Sequence, residues 1–119
     1  MILVTGGLGF LGSHIALSLL AQGLEVIVVD NLANANLQTL ERLEFISGMY
    51  VPFIKIDIRN TPALNKVFEQ NSIQAVVHTA SFKSLEESVL KPLEYYNDNV
   101  SYIMSLMRAM QRTGVRHLV

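Results

Sequence analysis

The segment Val4-Thr5-Gly6-Gly7-Leu8-Gly9-Phe10-Leu11-Gly12 limits this chain more than any other part of it. It places glycines directly after the apolar run Ile2-Leu3-Val4 and directly before a stretch with helical spacing of Ile15, Leu17, Leu19 and Leu20. A strand, a tight turn without side chains and a helix start form a cradle for a dinucleotide pyrophosphate. The missing Cβ atoms let backbone approach the phosphates, and the helix N-terminus offers unpaired N–H groups and a positive dipole end. Gly7-x-Gly9-x-x-Gly12 and the triplet Gly6, Gly9, Gly12 overlap as readings of the same turn. The competing reading is a glycine turn needed only for tight packing.

The rest of the chain alternates strand-length apolar runs with helix-period stretches. Expected strands are Ile2–Val4, Glu25–Asp30, Val51–Ile58, Ala75–Thr79 and Val115–Val119. Between them, helices are expected over Ser13–Gln22, from Leu37 to Ser47-Gly48, from an N-cap at Thr61 to about Asn71, and from Pro92 to a stop at Gly114, with a short turn at Glu86–Leu90. Glu25-Val26-Ile27-Val28-Val29-Asp30 is apolar without alternation, as a strand covered on both faces must be. Strands alternating with helices imply right-handed parallel crossovers and an α/β, Rossmann-like, doubly wound sheet of order 3-2-1-4-5. Residues 1–119 read as one domain, and His117-Leu118-Val119 as the middle of a strand, so the domain is expected to be incomplete at its C-terminus.

Composition removes several classes of function. The chain is 50% hydrophobic and 16% charged with a formal net charge of −1, which fits a globular core and gives no footprint for nucleic acid. It has no cysteine, so disulfides and thiolate metal sites are excluded. No targeting segment or membrane span is apparent, and a cytoplasmic location is expected. His14, His78 and His117 are too scattered for metal ligation and read as structural or exposed. Met104, Met107 and Met110 have helical spacing and read as core filler.

Asp30 ends the second strand, where an acid hydrogen-bonds the adenosine ribose of a dinucleotide. A carboxylate there repels a 2′-phosphate, so NAD is expected over NADP. Asp57 ends the third strand, and position alone leaves it either a contact to the adenine or a cap for the following loop.

Taken together, Thr5-Gly6-Gly7-Leu8-Gly9-Phe10-Leu11-Gly12-Ser13-His14, Val29-Asp30-Asn31-Leu32, Asp57-Ile58-Arg59-Asn60 and Glu87-Ser88-Val89 with Lys91-Pro92-Leu93-Glu94-Tyr95-Tyr96 resemble the extended short-chain dehydrogenase/reductases, and within them the UDP-glucose 4-epimerases. The resemblance covers essentially the whole chain. It implies bound NAD, a UDP-sugar interconverted through a 4-keto intermediate, and a dimer. It implies that Gly6, Gly9 and Gly12 form the turn, with backbone N–H groups of Phe10 and Leu11 on the pyrophosphate. Asp30, Asn31, Leu32, Asn34 and Ala35 would hold the adenosine ribose, and Asp57 and Ile58 would frame the adenine. Thr79, Ala80, Ser81 and Lys83 would line the cofactor, with Lys83 reaching the nicotinamide ribose, and Asp98 and Asn99 would contribute from the last helix. Asp98 stands where the family usually has Asn, and Tyr102 where it has Gly, so altered packing of that helix is expected.

The family's chemistry rests on a Tyr-x-x-x-Lys pair. Four residues after Tyr50, Tyr95, Tyr96 and Tyr102 stand Ile54, Asn99, Val100 and Leu106, so no catalytic residue is assigned in this chain. The expected identity is the NAD-binding portion of a 4-epimerase without its substrate domain. The alternatives are a sugar-nucleotide dehydratase, decarboxylase or reductase, or an inactive nucleotide-binding module acting through a partner. The edge of the last strand and the apolar side of the Tyr95–Met110 helix are expected to promote self-association.

Overall fold

The computed structural model describes residues 1–82 and 84–119. Five parallel strands, β1 (Ile2–Thr5), β2 (Val26–Asp30), β3 (Phe53–Lys55), β4 (Ala75–His78) and β5 (His117–Leu118), form one sheet in the order β3-β2-β1-β4-β5. The register sets Ile2 against both Val26 and Ala75, which aligns the C-terminal ends of the three central strands. Helices α1 (Phe10–Ala21), α2 (Leu37–Ser47), α3 (Thr61–Gln70), α4 (Leu85–Leu90) and α5 (Pro92–Thr113) connect them.

Alternation of side chains along the strands builds two cores. Val4, Val26 and Val28 pack with Ala16, Leu20 and Leu43 of α1 and α2. Leu3, Ile27, Val29 and Val76 pack with Leu64, Val67, Phe68, Leu106 and Met110 of α3 and α5 on the other face. Both sets are buried, which is why β2 reads as a continuous apolar run rather than an alternating one.

The fold and strand order agree with the sequence expectation, while several boundaries move. α1 begins at Phe10, ahead of the expected Ser13, so the last glycine of the motif lies inside its first turn. β3 pairs only over Phe53–Lys55, far less than Val51–Ile58. Pro52 has no N–H to donate and contributes only its carbonyl, which accepts from Val28 N at 2.8 Å. After Lys55 the chain leaves the sheet, and Ile56 and Ile58 become cavity wall. α3 is capped by Asn60, whose side chain accepts from Ala63 N, so Thr61 rather than Pro62 opens the helix, one position earlier than expected. The fifth strand is the pair His117–Leu118, with hydrogen bonding continued by Val119 to Val76 and His78. Met104 and Met107 are 45% and 52% exposed, so of the three spaced methionines only Met110 is core.

Candidate functional site

The C-terminal ends of β1, β2 and β4, the segment after β3 and one side chain of α5 enclose a cavity of about 590 Å³, a size suited to a small-molecule ligand. Its floor is the glycine turn. Gly6 has φ +67°, a left-handed conformation, and a Cβ there would stand 2.7 Å from Ala80 N. At Gly12 a Cβ would collide with the Gly6 carbonyl oxygen and come within 2.7 Å of Thr79 Oγ1. The turn therefore lies directly against the end of β4. Thr79 Oγ1 reinforces this by donating to the Thr5 carbonyl at 2.8 Å.

Gly9 caps α1 without a side chain, and the first bond of that end runs from Ser13 N to Gly9 O at 3.0 Å. The N–H groups of Phe10, Leu11 and Gly12 consequently have no acceptor within the helix, and all three residues line the cavity. Free donors at a helix N-terminus make an anion site.

Asp30 organises the neighbouring wall. It is 7% exposed, and its carboxylate accepts from Leu8 N at 3.1 Å and from Leu32 N at 2.9 Å. One side chain at the end of β2 thus holds both the glycine turn and the loop before α2, and it lines the cavity as well. Leu32 is held with φ +62°, unusual for a residue with a branched side chain, and its own side chain turns into the α1–α2 core. Asn31, Ala33, Asn34 and Ala35 continue the wall. Among the described lining residues Asp30 and Tyr102 are the ionisable ones.

At the far side lies a charged cluster. Arg59 bonds Asp57 at 2.8 Å and Asp98 at 2.7 Å, and its guanidinium sits 5.1 Å from the centre of the Tyr102 ring. Arg59 holds the Asp57 carboxyl below the usual carboxylate range, and burial pushes the Tyr102 phenol up.

Of the residues singled out from the sequence, the cavity brings together Gly6, Gly9, Phe10, Leu11, Gly12, Asp30, Asn31, Asn34, Ala35, Ile58, Thr79, Ala80 and Ser81. Four others are placed differently. Asp57 accepts from Arg59 N at 2.9 Å and from Asn31 Nδ2 at 3.3 Å, as a loop cap does, and its neighbour Ile58 lines the cavity. Asp98 is turned to Arg59. Asn99 grips the backbone of Phe82, accepting from its N–H at 2.9 Å and donating to its carbonyl at 3.2 Å. Leu32 contributes its backbone to Asp30 and its side chain to the core. Lys83 lies outside the described residues. Sequence reasoning missed Val29, Ile56 and Ser84 as wall. Tyr102 stood out only as a packing change, and it is both buried and a wall residue.

His78 meets Thr5 Oγ1 at 2.7 Å, a structural bond between β4 and β1. His14 donates from Nδ1 to the Phe10 carbonyl at 2.7 Å, a proton position assigned because that oxygen only accepts. No group of three His, Asp or Glu side chains converges as metal ligands among the described residues. No helix among them is long and apolar enough to cross a membrane.

A family model described as the NAD dependent epimerase/dehydratase family matches residues 2–119. The chain belongs to that family.

Its relatives and structural neighbours within the family narrow the comparison. A UDP-glucose 4-epimerase of Neisseria meningitidis serogroup B is 45% identical over 118 residues, which are 99% of this chain and 35% of that protein. A UDP-glucose 4-epimerase sequence of Klebsiella pneumoniae is 42% identical over 118 residues, 85% of its length. The structure of the Stenotrophomonas maltophila UDP-glucose-4-epimerase, with bound NAD and formylated UDP-arabinopyranose, superimposes with a TM-score of 0.95 at 40% identity, covering 98% of this chain and 35% of that one. The Bifidobacterium longum UDP-glucose 4-epimerase, in complex with NAD+ and UDP, gives 0.96 at 39% identity over the same shares. The chain spans about a third of the length of the first relatives it matches. The stretch it matches is the N-terminal portion of those UDP-glucose 4-epimerases.

Proposed function

We propose that this chain holds NAD along the C-terminal ends of its strands and forms the cofactor-binding part of a UDP-glucose 4-epimerase. The observation that carries the reading is Asp30: a buried carboxylate that lines the cavity and also fixes the glycine turn beneath a helix start with free N–H groups. The residues fit the cofactor, because the start of α1, with N–H groups that have no acceptor in the helix, lines a cavity whose floor of glycines carries no side chains.

Phe10, Leu11 and Gly12 bind the pyrophosphate through backbone N–H groups, and Asp30 accepts from a hydroxyl of the adenosine ribose. Thr79, Ala80 and Ser81 lie at the β4 side, where the nicotinamide half extends. Asp30 also repels a 2′-phosphate, and the Arg59 guanidinium is already taken by Asp57 and Asp98. NAD held there would supply a reversible hydride acceptor for the sugar carbon that is inverted. The chain carries no Tyr-x-x-x-Lys pair, so it binds the cofactor without turning over a UDP-sugar by itself.

Calorimetry tests this directly. NAD is expected to bind at least about tenfold more tightly than NADP, and Asp30→Ala to weaken NAD by about tenfold or more, the scale of a lost charge-assisted hydrogen bond. Equal affinities for the two dinucleotides would overturn the reading of Asp30.

A dimer is proposed through the outer face of α5. Leu93, Tyr96, Val100, Met104 and Met107 follow helical spacing and are 41–84% exposed, forming an apolar stripe that a second copy can cover. Sedimentation showing only monomer at high concentration would remove this proposal.

A further inference from the structure

The cavity wall facing the segment after β3 is closed by an aromatic side chain that the cofactor reading does not use. Tyr102 projects from α5 and is 5% exposed, yet it lines the cavity together with Ile56, Ile58 and Asn31. In a sheet of this order, with the ribose-binding acid at the end of β2, the base of the adenosine extends toward β3. Tyr102 therefore stands where the purine ring ends.

Its ring is also held in place from more than one side. The Arg59 guanidinium lies over it at 5.1 Å and is itself tied to carboxylates on two elements, Asp57 after β3 and Asp98 on α5. The Phe82 ring is nearly parallel to it, with centroids 6.0 Å apart and planes inclined by 23°. Phe82 in turn contacts the Tyr95 ring at 5.6 Å, and its backbone is gripped at both polar atoms by Asn99. A ring flanked in this way cannot swing aside without breaking contacts on β3, β4 and α5 flanks together. A close-packed wall rejects added volume far better than a flexible one.

We propose that Tyr102 is a specificity-determining residue that sets the length of the purine subsite, admitting adenine and excluding purines enlarged on the ring. The inference rests on the NAD reading of the cavity and adds to it the residue that limits which base fits. The size of the ring does the work, so the hydroxyl is dispensable.

The probe is the dinucleotide whose adenine is enlarged by an etheno bridge, compared with NAD by calorimetry on the purified protein. The unchanged protein is expected to bind NAD at least about tenfold more tightly than the etheno analogue. Tyr102→Phe keeps that ratio, and Tyr102→Ala reduces it to within about twofold. Because the ratio compares two ligands on one preparation, partial unfolding of a variant lowers both affinities and leaves the ratio intact. If Tyr102→Ala does not fold, Tyr102→Leu, which shortens the wall while retaining apolar packing, is expected to reduce the ratio in the same direction. NAD binding with no preference over the etheno analogue in the unchanged protein overturns the inference alone. So does a ratio that survives in the shortened variants. Failure of the unchanged protein to bind NAD overturns the cofactor reading, and the inference with it.

Discussion

Around Gly6–Gly12 the cavity wall is backbone, whereas beside Ile56, Ile58 and Tyr102 it is made of side chains. The first wall is fixed by what is missing. A Cβ at Gly12 meets the Gly6 carbonyl and Thr79, so the turn has no tolerance for a larger residue. The second wall is fixed by a network in which Arg59 joins Asp57, Asp98 and Tyr102 across two elements. Side-chain walls can be altered piece by piece, while a backbone wall fails as a whole. In the proposed reading, binding of the phosphate part of a ligand and selection of its base are thereby separated within one cavity.

That contrast can be broken most forcefully at the glycine turn. Gly12→Ala is expected to destabilise the protein by about 2 kcal/mol or more, the scale of overpacking in a close-packed interior, and to abolish NAD binding. Thermal denaturation and calorimetry would measure both, and an unchanged melting temperature would show that the turn can relax. An intermediate effect is expected at the loop after β4. Asn99→Ala removes two hydrogen bonds to Phe82, each worth roughly 0.5–1.5 kcal/mol. Hydrogen exchange at the Phe82 amide should quicken by about tenfold or more, with the amides of β1 and β2 unaffected.

The smallest effect belongs to the charged cluster. Arg59 lowers the Asp57 carboxyl from its ordinary value of 3.8 in the folded state. As pH falls from above 3.8, the unfolded chain takes up this proton first, so stability is present above that pH and is lost as pH falls through the folded value. Asp57→Asn should flatten this part of the acid limb without changing stability near neutrality by more than a fraction of a kcal/mol, as for other exposed ion pairs. An identical acid limb in the variant would show that the pair adds nothing to folding.

The backbone wall was legible in the sequence because its requirements are local. Glycines between a strand and a helix announce the turn, and Asp30 at the strand end announces its partner. The side-chain wall was harder to read because its members are far apart in the chain. Asp57 could not be divided between an adenine contact and a loop cap by position alone. In the structure it accepts hydrogen bonds from Arg59 and Asn31, as a loop cap does. Asp98 and Asn99 were assigned to the cofactor by resemblance, yet one is 39 residues from its Arg59 partner and the other 17 from Phe82. No pattern along the chain encodes such pairings. Met104 and Met107 fail for a related reason. Helical spacing identifies one face of α5 but does not say whether that face meets the sheet or the solvent.

By itself the sequence determined the alternation of strands and helices, the parallel sheet order and the position of the glycine turn. Each of these follows from periodicity, from the handedness of crossovers and from the absence of a Cβ. Only the tertiary structure brought Asp57 and Asp98 together on Arg59. It also decided that Tyr102 is a wall rather than a packing fault. Those outcomes depend on how α5 packs beside α3, and that packing is set by the core shared among Leu64, Phe68, Leu106 and Met110.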